Sequence, residues 1–425
     1  MKKILFVILA SVLVFSLAAA SAESWKELYD QEKYDDAYPL IAEAAAAGDP
    51  EAAAFQAACL IYGDGVTPDP EKGYELALKT AEAGNSYAMF LTGACFDFGL
   101  GTEQDSAKAM EWYLKAAGLG STKAMNNIGT DYYYGFSTVQ DYAKAAEWYM
   151  KAADLGDATA LANLGSMYEK GQGVDANSEK ALECYQKSAD LGNPDGLYRL
   201  GHAYLDGVGT PQDFGKAMEL LQKAAAAGAA EAFGKIGYMY EFGLGTAQSY
   251  DKALEYYQKG ADLSDPNAVY LLALACMDGI GTEPDHARAF ELLLQSADLG
   301  ITDAWLTIGY MYEFGIGTEQ SYDKALEYYQ KLVEIGDPNG LSNIAWMNLD
   351  ESYPDHDYAK AAAYFAVLAE YENPNAFFGL GECYYAGKGV EKDLQKAAEY
   401  YRRALDAGYE PAEGTEQEHV KELLN

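Results

Sequence analysis

The chain has 425 residues with 66 acidic and 30 basic side chains, which give a formal net charge of −36 at pH 7. A field of this sign repels phosphate backbones, so the composition argues against nucleic acids and anionic membranes as partners. A net-cationic protein partner is compatible with the charge, although acidity also keeps proteins soluble without any ligand.

Residues 1–22 have the organisation of a secretory signal peptide. Lys2 and Lys3 form a positive start, residues 4–17 are apolar, and a small-x-small sequence ends at Ala22 without a cysteine for lipid attachment. The apolar run is short for a bilayer span, so we expect cleavage and export, either to the medium or to the periplasm and cell envelope. Retention as an uncleaved anchor is the alternative. Cleavage removes two lysines and changes the net charge from −36 to −38.

Residues 23–48 are predicted to form N-terminal capping helices. Their last part carries Ala37, Leu40 and Ile41 at helical spacing and ends at Gly48. This part resembles the second helix of the repeats that follow, with a shortened partner before it, so it can cover the first repeat.

Residues 49–408 divide without remainder into ten units of 36 residues that carry the same residue types at the same positions. Such a period marks a solenoid, because each unit must stack on its neighbours to bury its apolar face. Function is then expected on a long repeated surface. The units begin at Asp49, Asn85, Ser121, Asp157, Asn193, Ala229, Asp265, Ile301, Asp337 and Asn373.

The first half of each unit predicts a helix followed by a short turn. Position 1 is Asp, Asn or Ser in eight units and position 2 is Pro in five, which are the preferences of a helix start. Small residues at positions 4 and 9, Leu or Ile at position 8 and aromatics at position 12 share one helix face. Glycines at position 15 in nine units and position 17 in eight supply the positive φ that ends the helix.

The second half of each unit predicts another helix. Position 21 is Asp, Asn or Ser in every unit, and a basic residue follows at position 24. Large residues at positions 28 and 29 face small ones at positions 4, 9, 25 and 33, which lets helices approach to about 8–10 Å. Each unit is therefore predicted to be an αα-hairpin, and this packing accounts for most of the 36 tyrosines.

The ninth unit departs from this pattern at its turn. Glu351 and Tyr353 replace the two glycines, and Pro354 follows. The usual positive-φ turn would be strained with these residues, so we predict an altered loop and a local change of superhelical curvature.

Residues 409–425 are predicted to form a C-terminal capping helix. Thr415 and Glu418 have the spacing of a capping box, ahead of the apolar residues Val420 and Leu423. The helix can cover the exposed face of the last repeat.

The repeat pattern resembles a known family. It reads A-x3-LG-x2-Y-x2-G-x-G and then D-x2-KA-x2-WY-x-KAA-x2-G, and its residues in one unit are Ala160, Leu164, Gly165, Tyr168, Gly171, Gly173, Lys180, Ala181, Tyr185 and Gly192. This is similar to the Sel-one-like repeat, a relative of the tetratricopeptide repeat, and it covers about 85% of the chain. The resemblance implies an all-α fold, a right-handed α-solenoid or superhelix, that binds proteins or peptides and has no common chemistry.

The cysteines are predicted to be five unpaired, mostly buried thiols. Only Cys59 and Cys95 lie in adjacent units, both at position 11. Equivalent positions in stacked hairpins are roughly 9–10 Å apart, beyond the about 7 Å between Cα atoms that a disulfide spans. The chain therefore departs from the cysteine-rich secreted members of the family, where the resemblance implies disulfides within repeats, and no penicillin-binding activity is carried over from them.

Possible catalytic motifs have simpler explanations. Ser249 and Lys252, like Ser321 and Lys324, match a serine-lysine spacing found in penicillin-interacting enzymes. Both serines, however, stand at the helix-cap position 21 and both lysines at the basic position 24, so we interpret them as caps and repeat lysines. We predict no catalytic residue and no cofactor.

Metal sites are also not predicted. The histidines are scattered without the spacing of a zinc site. Acidic residues cluster around Asp355 in the ninth unit and have the chemistry to attract a divalent cation, but a solvated acidic turn is the preferred interpretation.

A candidate peptide groove lies beside the buried stripe of the first helices. In tetratricopeptide-like superhelices these helices line the concave side, and positions 3, 6, 7, 10, 13 and 14 point into it. The aromatics among them would supply contacts and the amides would pair with a peptide backbone, unless they only complete packing between repeats. The residues are Asn126, Asn127, Tyr133, Tyr134, Asn163, Tyr198, Arg199, His202, Tyr238, Phe242, Tyr270, Tyr310, Phe314, Asn343, Trp346 and Tyr385.

The functional hypothesis is an exported protein–protein interaction scaffold. Its partner would be a protein or peptide, with a net-cationic segment favoured by the charge. Two alternatives remain open: a factor that binds glycan or peptidoglycan, since exposed aromatics also stack on sugars, and a structural spacer without a specific ligand.

Overall fold

The computed structural model describes residues 25–411 and 414–424, and all regular structure in this part of the chain is α-helical. Contacts divide the chain into two compact units, one that ends at Ala229 and one that begins at Ala230. The predicted signal peptide, residues 1–22, lies outside the described residues.

The first compact unit contains helices α1 to α12. Helix α1 spans residues 25–30. The others are α2 (Tyr34–Ala46), α3 (Pro50–Tyr62), α4 (Pro70–Glu82), α5 (Ser86–Phe98), α6 (Ser106–Gly118), α7 (Thr122–Tyr134), α8 (Tyr142–Asp154), α9 (Ala158–Lys170), α10 (Ser178–Asp190), α11 (Pro194–Asp206) and α12 (Phe214–Ala226).

The second compact unit contains helices α13 to α23. They are α13 (Glu231–Phe242), α14 (Tyr250–Asp262), α15 (Pro266–Asp278), α16 (His286–Asp298), α17 (Asp303–Phe314), α18 (Tyr322–Glu334), α19 (Pro338–Leu349), α20 (Tyr358–Ala369), α21 (Pro374–Ala386), α22 (Leu394–Asp406) and α23 (Thr415–Leu424).

The helices pack as consecutive hairpins. Within each compact unit the first and second helix of a repeat contact each other, as α5 and α6 do, and the second helix contacts the first helix of the next repeat, as α6 does with α7. The predicted all-α solenoid of αα-hairpins is therefore confirmed.

Helix starts follow the predicted capping positions. Asp157 accepts a hydrogen bond from the backbone N–H of Ala160, and Asn177 accepts one from that of Lys180. Helices α13 and α17 differ, because Ala229 and Ile301 occupy position 1 of their repeats. Both helices lack a side-chain cap and are 12 residues long.

Glycine at position 9 makes room for the tyrosine at position 29. A Cβ atom on Gly165 would lie 2.5 Å from Cε1 of Tyr185, and one on Gly309 would lie 2.5 Å from Cε1 of Tyr329. Both tyrosine rings are buried. The close approach of the two helices in these hairpins therefore requires a residue without a side chain.

Glycine at position 17 has a second role beyond its positive φ. A Cβ atom on Gly101 would lie 2.0 Å from the carbonyl oxygen of Pro70, and one on Gly173 would lie 2.1 Å from that of Tyr142. These two turns thus rest on the backbone at the start of the preceding second helix. A side chain at this position would separate the two hairpins.

Where position 12 is aromatic, the lysine at position 24 of the same hairpin lies over its ring. The Nζ of Lys180 is 5.2 Å from the ring centroid of Tyr168, and that of Lys252 is 4.9 Å from that of Tyr240. These are cation–π distances, and they give the repeated lysine a structural role.

Short helices cover both ends. Trp25 in α1 is buried together with Ile41 of α2 and Cys59 of α3. At the other end α23 contacts α22, and Val420 and Leu423 pack against the cluster that contains Phe378. The side chain of Thr415, half of the predicted capping box, is outside the described part of the structure.

The ninth hairpin has the altered loop that its sequence predicts. Helix α19 ends in extended backbone at Asp350, with φ −81° and ψ 121°, where other first helices end on a left-handed glycine. Tyr353 is buried, and its ring centroid is 5.2 Å from that of Tyr322 at the start of α18. Tyr353 stands at the repeat position of the second glycine. Its ring contacts Tyr322 at the start of α18, where the glycine of other repeats contacts the backbone. The change of curvature stays a prediction.

Candidate functional site

Three successive first helices in the first compact unit end on an exposed aromatic residue. Tyr62, Phe98 and Tyr134 occupy position 14 of α3, α5 and α7, directly before the left-handed glycine, and are 52%, 67% and 59% exposed. Tyr134 was predicted from its repeat position, whereas Tyr62 and Phe98 were not, although the shared position 14 is the signal that connects them.

The loop after α7 adds a fourth exposed aromatic. Phe136 is 69% exposed, and its ring centroid is 5.2 Å from that of Tyr134 in a stacked arrangement. It is followed by Ser137, which stands where most repeats have the second glycine.

Two exposed aromatic pairs lie on first helices of the second compact unit. The ring centroids of Tyr238 and Phe242 in α13 are 4.6 Å apart, and those of Tyr310 and Phe314 in α17 are 4.7 Å apart. All four side chains are exposed, as the groove hypothesis requires.

The predicted amides are only partly available to a ligand. Nδ2 of Asn163 donates to Oδ1 of Asn126 at 3.0 Å, and Nδ2 of Asn343 donates to the carbonyl oxygen of Asn339 at 2.8 Å. The side chain of Asn127 lies near the hydroxyl of Tyr113. These amides therefore connect helices or turns of the protein itself, and we do not assign them peptide pairing.

Two of the predicted polar residues on α11 contact carboxylates of the same helix. Nε of Arg199 lies 2.8 Å from Oδ1 of Asp195, and Nδ1 of His202 lies 3.3 Å from Oδ2 of Asp206. The ring of Tyr198 is near that of His202, with centroids 6.1 Å apart. All three predicted residues are half-buried.

Four other predicted residues take part in packing. Tyr133 donates to Oε1 of Gln172 at 2.8 Å. Burial raises the pKa of Tyr270, whose hydroxyl also bonds with Thr307. The other two residues, Trp346 and Tyr385, pack against aromatic rings. Trp346 lies 5.0 Å from the ring of Phe365, and Tyr385 lies 4.2 Å from the ring of His419.

All five cysteines are free thiols, and four of them are buried, which confirms the prediction of mostly buried thiols. Burial raises the pKa of Cys59, Cys95 and Cys383 to about 12. Cys383, for example, lies among the apolar side chains of the core cluster around Phe365. Thiols in such surroundings are poor nucleophiles.

The serine-lysine motifs are helix caps in the structure. Oγ of Ser249 accepts from the backbone N–H of Lys252, and Oγ of Ser321 accepts from that of Lys324, each at 3.4 Å. The lysine ammonium groups lie over tyrosine rings of the same hairpins. The interpretation as caps and repeat lysines is thereby confirmed.

The acidic turn of the ninth hairpin uses its carboxylates locally. Asp350 accepts from the backbone N–H and the hydroxyl of Ser352, which lowers the pKa of Asp350. Glu351 lies 3.0 Å from Nζ of Lys388, and Asp357 caps α20. The described residues contain no group of three His, Cys, Asp or Glu side chains placed to hold a metal ion.

The stack of αα-hairpins defines an α-solenoid repeat protein of the tetratricopeptide-like class. The Sel1 repeat family model matches nine segments: 50–85, 86–121, 122–157, 158–193, 194–228, 234–265, 266–301, 308–337 and 374–409. These segments make up more than half of the chain, so the chain belongs to the Sel1 repeat family. Proteins of this family are generally protein–protein interaction scaffolds and are typically not enzymes.

Solved structures of bacterial proteins resemble the chain. A protective antigen of uropathogenic Escherichia coli strains with an SLR fold is 27% identical, with a TM-score of 0.62, and the match covers 96% of this chain and 90% of that chain. A Sel1 repeat protein from Oxalobacter formigenes is 26% identical, with a TM-score of 0.47 and coverage of 70% and 86%. No curated protein matches the chain. Within the described residues, no helix combines the length and the apolar character that a membrane crossing needs.

Proposed function

We propose that the chain is an exported interaction scaffold that holds an extended, net-cationic segment of a partner protein against exposed aromatics of its first helices. The observation that carries this proposal is the exposure of Tyr238, Phe242, Tyr310 and Phe314 on α13 and α17. The aromatics at position 29 of the same hairpins are fully buried. Unlike these buried rings, the exposed pairs present ring surface that a partner can contact.

The chemistry of these side chains suits protein recognition. Tyrosine and phenylalanine have few rotatable bonds, so they supply contact area at a small entropic cost and are frequent in binding hot spots. The net charge of −36 favours a partner of opposite sign. Trp346 and Tyr385 are left out of this surface because they pack against neighbouring rings.

Export rests on the sequence of residues 1–22 and is part of the proposal. The proposed mature domain organisation is N-terminal capping helices at 23–48, ten repeats at 49–408 and a C-terminal capping helix at 409–425.

Capture by matched variants tests the proposal. The mature chain is immobilised and exposed to envelope and culture-medium proteins of the organism that produces it. In the test variant Tyr238, Phe242, Tyr310 and Phe314 are replaced by Ala. The control variant replaces Leu263, Leu299 and Ile335 by Ala, because these side chains are also exposed but follow second helices.

We expect the wild type and the control variant to retain the same partner protein, and the test variant to lose it while its helical circular-dichroism signal is unchanged. Equal capture by the folded test variant would contradict the proposed surface. A parallel capture with envelope glycans addresses the alternative, since a glycan-binding factor would retain glycan, and a spacer would retain neither class of ligand.

A further inference from the structure

A cleft in the first compact unit lies where the repeat pattern is interrupted. It has a volume of about 460 Å³ and is formed by α5, α6, α7 and the loop that follows α7. Phe98 and Phe136 lie at its edge, and Met110 and Tyr113 of α6 line it with apolar surface. Phe98 and Phe136 are both largely exposed.

The cleft coincides with an interruption of the repeat pattern at Ser137. In the neighbouring hairpin Gly101 rests against the backbone of Pro70, and in the following one Gly173 rests against that of Tyr142. In the third hairpin position 17 is Ser137. The residue equivalent to Pro70 and Tyr142 is then Ser106, at the start of α6 in the second hairpin. Both of these serines line the cleft. A side chain at position 17 is incompatible with the usual backbone contact. Ser137 accordingly lacks the positive φ that the glycines at this position have, so the loop takes a different course here.

A carboxylate holds the altered loop in place. Oδ1 of Asp131 accepts from the backbone N–H of Ser137 at 2.9 Å, and Oδ2 accepts from the Ser137 hydroxyl at 2.8 Å. The loop is therefore tied to α7 by hydrogen bonds to a charged group, which are stronger than those between neutral groups. The position of Phe136 at the cleft edge follows from this anchor.

The cleft has negative charge that the protein does not neutralise. Asp97 and Asp131 both line it, and neither takes part in an ion pair among the described residues. Oδ2 of Asp97 accepts from the hydroxyl of Tyr113 at 3.1 Å. Burial, and to a smaller extent the charge of Asp131, raises the pKa of Asp97. A cation bound here would be attracted by both carboxylates.

We propose that this cleft binds a lysine or arginine side chain of the partner segment. The apolar stem would lie along Met110 and Tyr113, and the cationic group would lie between Phe98 and Phe136 near the two carboxylates. Long basic side chains have this division into an apolar stem and a charged head, and aromatic faces attract the head. The inference rests on the proposed function, because it names the part of the partner that the first compact unit recognises.

The test measures binding of a small cation without any partner protein. The probe is N-acetylarginine amide, and N-acetylcitrulline amide is its uncharged analogue of the same shape. The mature chain carries ¹³C at its methionine methyl groups, so that Met110 reports on the cleft, and the variant Met110→Leu assigns its resonance. We expect a saturable shift of this resonance with the arginine compound and none with the citrulline compound. No shift, or an equal shift with both compounds, would overturn the inference.

Two variants test the residues. Asp97→Asn removes the charge but keeps an oxygen that can accept from Tyr113, and Phe136→Ala removes a ring that is 69% exposed. Each is expected to weaken binding of the arginine compound about tenfold, which corresponds to about 1.4 kcal/mol. The control Asp175→Asn, at an exposed loop carboxylate outside the cleft, should bind like the wild type. Unchanged affinity in both folded test variants would contradict the proposal.

Capture experiments separate this inference from the proposed function. If the wild type retains a partner and Asp97→Asn with Phe136→Ala retains it equally, the scaffold function stands and the cleft is not part of its site. If the wild type retains no partner, the proposed function fails, and the arginine titration still decides whether the cleft binds a cation.

Discussion

Glycine at position 9 determines how closely the two helices of a hairpin approach. Gly165 faces the ring of Tyr185, with 2.5 Å between a hypothetical Cβ and Cε1 of the tyrosine. Alanine favours a helix by about 1 kcal/mol over glycine, but here its methyl group would overlap a buried ring. The packing effect should therefore exceed the propensity effect.

We expect Gly165→Ala to lower the free energy of unfolding by about 1–3 kcal/mol, the usual range for an overpacked core. Denaturant unfolding followed by circular dichroism measures the change. Gly118→Ala is the matched control, because no atom lies within 4 Å of a Cβ at this helical position. It should leave stability unchanged or raise it slightly. A stabilised Gly165→Ala variant would show that the helix pair can separate without cost.

The thiols provide a second test at the scale of residues. Cys184 is half-buried, whereas the other four cysteines are buried. We expect a disulfide reagent at pH 8 to modify Cys184 first in the native protein, and five thiols to react after denaturation without a reductant. The variant Cys184→Ser should lose the fast phase. Fewer than five reactive thiols in the denatured wild type would indicate a disulfide and contradict the predicted register.

Glu313 makes the stability depend on pH. It is buried at the end of α17 and accepts from the hydroxyl of Tyr329 at 2.7 Å. Burial raises its pKa above the ordinary value of 4.5. Because the pKa is higher in the folded than in the unfolded state, the stability that Glu313 contributes is fully present below pH 4.5 and is lost as the pH rises through the folded pKa.

Glu313→Gln should therefore gain stability relative to the wild type as the pH rises from about 4 to about 7. Thermal unfolding of both proteins across this range measures the difference. Glu241→Gln is the control for the exchange of a carboxylate for an amide, since Glu241 accepts the same hydrogen bond from Tyr257 at 2.6 Å in a less buried place. A stability difference that is constant with pH would contradict the assignment to Glu313.

At the scale of elements, the ends of the second helices show where the repeat is strained. Ser264 and Glu372 have φ values of 59° and 56° at position 36, where the other hairpins have glycine. The left-handed region costs a residue with a side chain about 1–2 kcal/mol, which glycine avoids at the expense of a more flexible unfolded chain.

We expect Ser264→Gly to raise the free energy of unfolding by about 0.5–1 kcal/mol, the part of the strain that remains after the entropy of the unfolded chain is counted. The reverse change, Gly300→Ser at φ 98° in the next hairpin, should lower it. Chemical denaturation measures both variants. Loss of stability in Ser264→Gly would mean that its side chain makes contacts that outweigh the backbone strain.

The helices and turns were predictable because their signals are local. Each repeat contains its own signals: a helix cap such as Asp157, the glycine of the next turn, and helix faces made of small or of large residues. These signals recur along the chain. The altered ninth loop was predictable for the same reason, from the loss of its glycines. The contact between the rings of Tyr353 and Tyr322 could not be predicted. It joins two hairpins and replaces a backbone contact that the sequence does not show.

The candidate site was predicted only in part, because exposure depends on neighbouring helices. Tyr238 and Tyr310 were identified by their position on the first helix, and they are exposed. Trp346 has the same position 10, yet it packs against Phe365 of the next helix. Position in the repeat selects the helix face, whereas the size of the adjacent side chains decides which residues on that face remain accessible.

At the scale of the whole molecule, the net negative charge acts on a charged partner over a longer range than direct contacts do. The chain carries 66 acidic and 30 basic side chains, and many of the basic ones are already used within hairpins. Lys180 lies over Tyr168, and Lys187 pairs with Glu183 at 2.7 Å. The remaining negative field can accelerate the encounter with a cationic segment, while exposed aromatics would keep it bound.

This division of roles predicts how salt affects binding. At an ionic strength of about 0.1 M the field is screened beyond about 10 Å, and at about 1 M beyond about 3 Å. We expect the association rate of the captured partner to fall at least about tenfold between low and high salt, with a smaller change in the dissociation rate. Surface plasmon resonance with the immobilised mature chain measures both rates.

The variant without Tyr238, Phe242, Tyr310 and Phe314 should show the opposite pattern, a faster dissociation with little change in salt dependence. Binding that is independent of salt, or that tightens as salt rises, would show that the partner is held by apolar contacts alone and that the acidic surface serves only solubility.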